Sequence, residues 1–211
     1  IIDFLDQYDA KLSFFIAGYH NLSESQIQKL HDFNEIGFEI GYHGTHHICA
    51  TEYLTSHTYN EYLEYEILPD LAIMQEAGFS PIHFAYPYGY IGTEIDSLLL
   101  THFISVRKLA WTSQKNTLPE QNQAYYTTPV NKHVLRAAGI DKAYKVPIED
   151  IEQSIDRIAK TQECLLLYCH NISDVDGNYN ISTEKVKSIV KYCYYKNVPM
   201  ITVSDIFRTD D

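Results

Sequence analysis

Phe38-Glu39-Ile40-Gly41-Tyr42-His43-Gly44-Thr45-His46-His47 is the stretch that decides how the chain is read. Phe38, Ile40 and Tyr42 alternate with Glu39 and Gly41, the two-residue period of a β-strand. The alternation stops at His43, Gly44 supplies a flexible turn, and His46 and His47 follow. If the backbone makes one helical turn there, positions i and i+4 meet on one face. His43 and His47 then aim two imidazoles at one point, as a site for a divalent transition ion, most often zinc, requires. Taken alone, the commoner reading of such a pair is two surface or core histidines. Gly44 stands where the zinc-protease motif needs its glutamate, so the pair is not that motif. Support has to come from elsewhere in the chain.

Outward from this stretch, strands and helices alternate. Ile1 to Tyr8 reads as an amphipathic helix, Leu12 to Ala17 as an apolar strand, and Ser23 with Gln26 as a capping box opening a helix to about Ile36. A long helix is expected from Thr58 to Ala77, kinked at Pro69. Ile82 to Tyr86 is a strand, Glu94 to Thr101 a helix and Phe103 to Val106 a short strand. Lys108 to Thr128 is polar and irregular and reads as an active-site loop. Ile148 to Thr161 is a helix, Cys164 to Cys169 a wholly apolar strand, Ser182 to Lys196 a capped helix, and Met200 to Val203 the last strand, with a short helix near Ser204. Strands alternating with helices imply a parallel sheet, and the expected architecture is an α/β barrel. In such barrels chemistry gathers at the C-terminal ends of strands, and His43, Tyr88 and His170 all lie just past expected strand ends.

Composition narrows the function. The 211 residues suit one domain, with 45% hydrophobic and 21% charged residues. A net charge of −12 argues against nucleic acid or anionic membrane as partner. No apolar run is long enough for a transmembrane segment. The four cysteines, Cys49, Cys164, Cys169 and Cys193, form no C-x-x-C pair and no disulfide framework.

Four pieces line up in order: Leu12-Ser13-Phe14-Phe15-Ile16-Ala17-Gly18, His43-Gly44-Thr45-His46-His47, Phe84-Ala85-Tyr86-Pro87-Tyr88-Gly89 and Leu165-Leu166-Leu167-Tyr168-Cys169-His170. Together they resemble the polysaccharide deacetylase family, the NodB-homology domain of carbohydrate esterase type. The resemblance covers nearly the whole chain. It implies a distorted (β/α)7-type barrel and a hydrolase that removes acetyl groups from an N-acetylated polysaccharide or oligosaccharide with a divalent metal, most often Zn²⁺, as cofactor. The partner it implies is a glycan substrate, and the compartment the cell envelope or the extracellular space, with the cytoplasm left open. By the same resemblance His43 and His47 are metal ligands, Tyr88 gives the backbone N–H that stabilises an oxyanion, and His170 is the general acid. Amide hydrolysis needs a nucleophile, a base, an acid for the leaving amine and a donor at the developing oxyanion, so these residue types fit the chemistry.

Three departures stand out. Gly44 replaces the family's Ser or Thr after the first histidine. Ala85 replaces the arginine of the Arg-x-Pro-Tyr-Gly motif, a role Arg107 could take from a later strand. The Asp-Asp segment that gives the family its base and third metal ligand is not found; it is expected just upstream of Ile1, so residues 1–211 are expected to be one N-terminally truncated domain, missing its first strand and inactive as it stands. Tyr86, Tyr88, Tyr90, Trp111, Tyr125 and Tyr126 are candidates for apolar faces against sugar rings, and Tyr86, Tyr90, Arg107 and Trp111 form the expected substrate-binding set. The alternative function is a catalytically impaired relative that binds carbohydrate without hydrolysis. A cyclic-imide or other amide hydrolase on the same fold is a third reading.

Overall fold

A short extended run with one face in the core needs a neighbour on either side, and six such runs here pair with one another. They are β1 (Ser13–Ile16), β2 (Glu39–Tyr42), β3 (His83–Ala85), β4 (Ser105–Leu109), β5 (Val134–Gly139) and the shorter β6 (Leu167–Tyr168). All five pairings are parallel, and the strands lie across the sheet in chain order. The structure, a computed structural model, describes residues 1–89, 92–110, 117–161 and 163–208.

Helices cover the convex face, as the parallel ladder requires. α1 (Ile2–Gln7), α2 (Glu24–Glu35), α3 (Leu68–Glu76), α4 (Ile148–Ile158) and α5 (Thr183–Tyr195) are the main ones. The expected capping box opens α2: Ser23 Oγ accepts the Gln26 N–H at 3.4 Å and Gln26 Oε1 accepts the Ser23 N–H at 2.9 Å. Alternate strand residues point outward into the core. Ile40, Tyr42, Phe84 and Val106 pack with Leu30 of α2 and Leu71 and Met74 of α3. Ala138 packs with Ile151 and Ile155 of α4 and Val186, Ile189 and Val190 of α5.

The other strand face lines a curved interior. The Arg107 guanidinium of β4 lies 5.9 Å from the Phe15 ring of β1 and 4.8 Å from the Tyr168 ring of β6. One side chain in the middle of the sheet can reach both edge strands only if the sheet curls around it. The fold is therefore a six-stranded half-barrel, the partial (β/α) barrel that the alternation of elements implies. At its floor Ser13, Glu39, His83 and Ser105 bring polar groups together. Glu39 Oε2 accepts from Ser13 Oγ at 2.5 Å and from the Val203 N–H at 3.0 Å, while Glu39 Oε1 accepts from Ser204 Oγ. His83 is 1% exposed, with Nδ1 2.7 Å from Ser105 Oγ and Nε2 3.0 Å from Ser204 Oγ.

Several elements differ from expectation. The helix expected over 58–77 is three pieces: Tyr59–Tyr62, a π-helical turn Leu63–Ile67, and α3. Pro69 has no N–H to offer the preceding turn, and the wider turn accommodates it. β4 runs to Leu109, past the expected end at Val106, so Lys108 and Leu109 are strand residues rather than loop. β5 was not expected from the sequence at all: Val134-Leu-Arg-Ala-Ala-Gly139 carries little β-branched signal. The apolar run 164–169 is half-buried, not fully buried, and serves two sheets. Glu163–Leu165 pairs antiparallel with Tyr125–Thr127, and Leu167–Tyr168 joins β5. Met200 to Val203 makes no strand; Lys11 N–H donates to Met200 O at 2.9 Å, and the Glu39 cluster takes the Val203 N–H.

Candidate active site

β2 ends at Tyr42, and the backbone then turns sharply at Gly44, with φ +98°. His43 and His47 come out of this turn with ring centroids 4.8 Å apart and planes at 75°. His43 Nδ1 lies 2.7 Å from the Ala85 carbonyl of β3. That oxygen can only accept, so the proton sits on Nδ1 and the Nε2 lone pair is left for a ligand. Burial, with the Arg107 charge helping, pushes the His43 pKa down to about 3, and its hydrogen bond to Ala85 opposes this only in part. The ring is neutral at pH 7, as a metal ligand must be. Burial lowers the His47 pKa also, followed by the charge of His170. His47 is held in the left-handed region, φ 57°.

Tyr88 follows the end of β3 and is likewise left-handed, at φ 56°. Its ring is 68% exposed and 4.9 Å from the His47 ring. Two non-glycine residues in this sparsely populated region, side by side, mark stored backbone strain at the site.

His170 follows β6. A protonated His170 lies near enough to depress both His43 and His47, and its ring stands 5.7 Å from the Tyr168 ring that faces Arg107. Asp141, just past the end of β5 and fully buried, fixes His170 twice. One oxygen accepts the His170 backbone N–H at 3.1 Å, and the other accepts the ring Nδ1–H at 2.6 Å. With Nδ1 held by Asp141, Nε2 is the ring nitrogen left for a substrate. No local pattern in the sequence singles out Asp141, which follows a strand with little β-branched signal. Its only sequence signal is an acidic residue two positions past Ala-Ala-Gly139.

Arg107 is the register partner of Ala85, and partnered residues share a face of the sheet. The guanidinium thus stands one strand away from the position the motif arginine would hold. Burial pulls its pKa below the usual arginine range, and the neighbouring Tyr168 and Tyr144 oppose the shift.

Tyr86 is a correction. It is 1% exposed, packs edge-on to Phe84 in the core, and donates its hydroxyl to Asp96 Oδ1 at 2.8 Å. It offers no face to a sugar ring. Tyr125 is buried as well, under the Arg157 guanidinium at 3.8 Å. Tyr90 and Trp111 lie outside the described residues.

The pair of neutral imidazoles fits two positions of a divalent ion. Among the described residues no group of three or more His, Cys, Asp or Glu side chains could hold one. No helix of the described residues is long and apolar enough to cross a membrane.

With this geometry the chain can be compared with known proteins. Residues 1–102 match the polysaccharide deacetylase family. Three of the four motifs lie within that match; the fourth, ending at His170, lies beyond it and is brought to the same site by the fold. A putative polysaccharide deacetylase from Mycobacterium smegmatis is similar in structure at 14% identity and TM-score 0.65, over 98% of this chain and 73% of that one. The peptidoglycan deacetylase PdaC from Bacillus subtilis is similar at 18% identity and TM-score 0.54, over 97% and 80% of the two chains. The polysaccharide deacetylase Bc1974 from Bacillus cereus gives 20% identity and TM-score 0.54, over 95% and 82%. At these identities the likeness to the deacetylase structures shows the shared fold. No curated protein matches the sequence.

Proposed function

We propose that this chain carries the acid and two metal ligands of a metal-dependent hydrolase that removes acetyl groups from an N-acetylated polysaccharide or oligosaccharide. The reading is supported by the His43–His47 pair, with ring centroids 4.8 Å apart, and by the hydrogen bonds that tie down Nδ1 of His43 and of His170 and leave each Nε2 for a ligand or substrate. His43 and His47 would hold the ion, zinc or a similar one, whose chemistry is Lewis-acid activation of water and carbonyl. His170 Nε2 gives its proton to the leaving amine, while Asp141 keeps the opposite nitrogen protonated and stabilises the ring. The Tyr88 N–H is assigned to the developing oxyanion, a donor worth about 3–4 kcal/mol in such sites. The base and the third ligand are assigned, by the family's pattern, to an aspartate pair preceding Ile1, with Arg107 in place of the motif arginine at Ala85.

The test is acetate release from an N-acetylglucosamine oligomer, with and without a chelator, by the 211 residues alone and by a chain extended through the upstream segment. The extended chain should release acetate, lose that activity to chelator, and lose it again on His170→Ala with metal retained. Chelator-insensitive release, or unchanged turnover in His170→Ala, overturns the assignment. The missing third ligand among the described residues favours a second reading, carbohydrate binding without hydrolysis. Oligomer binding with no acetate released by either chain would select it.

A further inference from the structure

We infer that Glu66 is the positioning residue of the His43–His47 loop, in the space that Gly44 leaves open; the inference rests on the metal-site reading above. A Cβ built on Gly44 would lie 2.1 Å from Glu66 Oε1 and 2.9 Å from its carboxyl carbon. A side chain at 44 would displace this carboxylate and would sit at a φ of +98° that L residues rarely adopt, so the departure at Gly44 and the placement of Glu66 go together. Glu66 is 0% exposed, and each oxygen holds one point of the loop. Oε2 accepts the His46 N–H at 2.8 Å and Oε1 accepts the Ile48 N–H at 2.9 Å. These two amides bracket His47, whose strained φ needs surroundings that over-determine it.

The π-helical turn makes the rest of the clamp. Asp70, whose N–H would close an ordinary helical turn on the Glu66 carbonyl, donates instead to Thr45 Oγ1 at 3.3 Å. The Glu66 carbonyl is freed to accept the Thr45 N–H at 2.8 Å and the Tyr42 hydroxyl at 3.1 Å. One residue therefore binds the backbone of 45, 46 and 48, and the end of β2 through Tyr42. Such an outer contact orients metal ligands without touching the ion, and its removal typically weakens metal binding about 10–100-fold.

The experiment measures Zn²⁺ affinity calorimetrically for the unmodified chain and for Glu66→Gln, Glu66→Asp, His47→Ala and Leu71→Ala. Glu66→Gln keeps length but turns an amide NH₂ toward one N–H, and Glu66→Asp keeps charge but shortens the reach. Both should weaken binding tenfold or more. Leu71→Ala removes a core side chain from the same helix, one that holds no hydrogen bond to the loop. It should lower the melting temperature at least as much while leaving Kd within twofold. Glu66 variants that fold and bind Zn²⁺ as tightly as the unmodified chain overturn the inference alone. So does Leu71→Ala weakening Kd as much as they do, because the effect then tracks stability. An unmodified chain that binds no Zn²⁺, or binds it equally well as His47→Ala, overturns the metal reading itself and this inference with it.

Discussion

Asp141 and His170 are 29 residues apart in the chain, yet the carboxylate accepts both the backbone and the ring N–H of the histidine. Asn at 141 has one accepting oxygen for two donors. Either the His170 backbone N–H is left facing an NH₂, or Nδ1 must accept from that NH₂, and the doubly protonated ring whose Nε2–H serves as the acid is no longer supported. Asp141→Asn in the active protein should therefore cost about 10²-fold in kcat, the scale of a general acid's contribution, with little change in KM and an altered pH profile. Unchanged kcat would remove Asp141 from the mechanism. Single residues were legible in the sequence where a local pattern exposes them. His43 and His47 announce themselves by spacing and His170 by following an apolar strand. Asp141 and Glu66 have no such pattern: each is one acidic residue among 28 Asp and Glu, and only the fold brings it to its histidine.

At the scale of elements, β5 shows why strand expectation fails. Its outward residue Ala138 is small where α4 and α5 pack on the sheet, and its last residue is glycine because a ring occupies the place of a side chain. A Cβ at Gly139 would lie 2.3 Å from the Tyr144 ring, whose hydroxyl accepts from the Tyr168 hydroxyl at 2.5 Å. Tertiary contact, not propensity, makes this segment extended. Gly139→Ala should overpack the site and cost about 1–3 kcal/mol. For a chain of this size the melting temperature should fall by roughly 2–12 °C. Thermal unfolding followed by circular dichroism reads it, and Tyr144→Ala in the same chain should return part of the loss. An unchanged melting temperature means that the ring moves aside freely. The long helix over 58–77 was legible in extent and in its disturbance at Pro69. That the disturbance is a π-turn aimed at the histidine loop was not, since the bonds that fix it come from residues 42 to 48.

Taken whole, the molecule was legible as a parallel α/β barrel because periodicity and element order are properties of the chain. Which residues line its interior depends on register. The polar floor follows from register alone, and its titration can be predicted. Burial lowers the pKa of His83, with Glu39 opposing. The folded state thus binds its proton less readily than the unfolded chain, whose histidine titrates near about 6.5. Stability from this group is present above that pH and is lost as pH falls through it, by at most about 1.4 kcal/mol per pH unit. Urea unfolding at pH 7.5 and 5.5 should show the loss, and His83→Asn should flatten it. His43 and His47 act in the same direction in both proteins, so the difference isolates His83. Parallel pH slopes in the two proteins would show that His83 titrates normally.

That floor also sets a clock. Glu39 reaches its last partners, Val203 and Ser204, across 164 and 165 residues of chain. A ribosome adding about 5–20 residues per second takes roughly 8–33 s to cover that distance. Throughout that interval β1 and β2 are made, yet a carboxylate destined for the interior has neither the amide nor the hydroxyl that will receive it. The barrel floor cannot close until Val203 and Ser204 have been made. The nascent half-barrel waits in the cell with a charged residue still turned to water, and closes only when its distant stopper arrives.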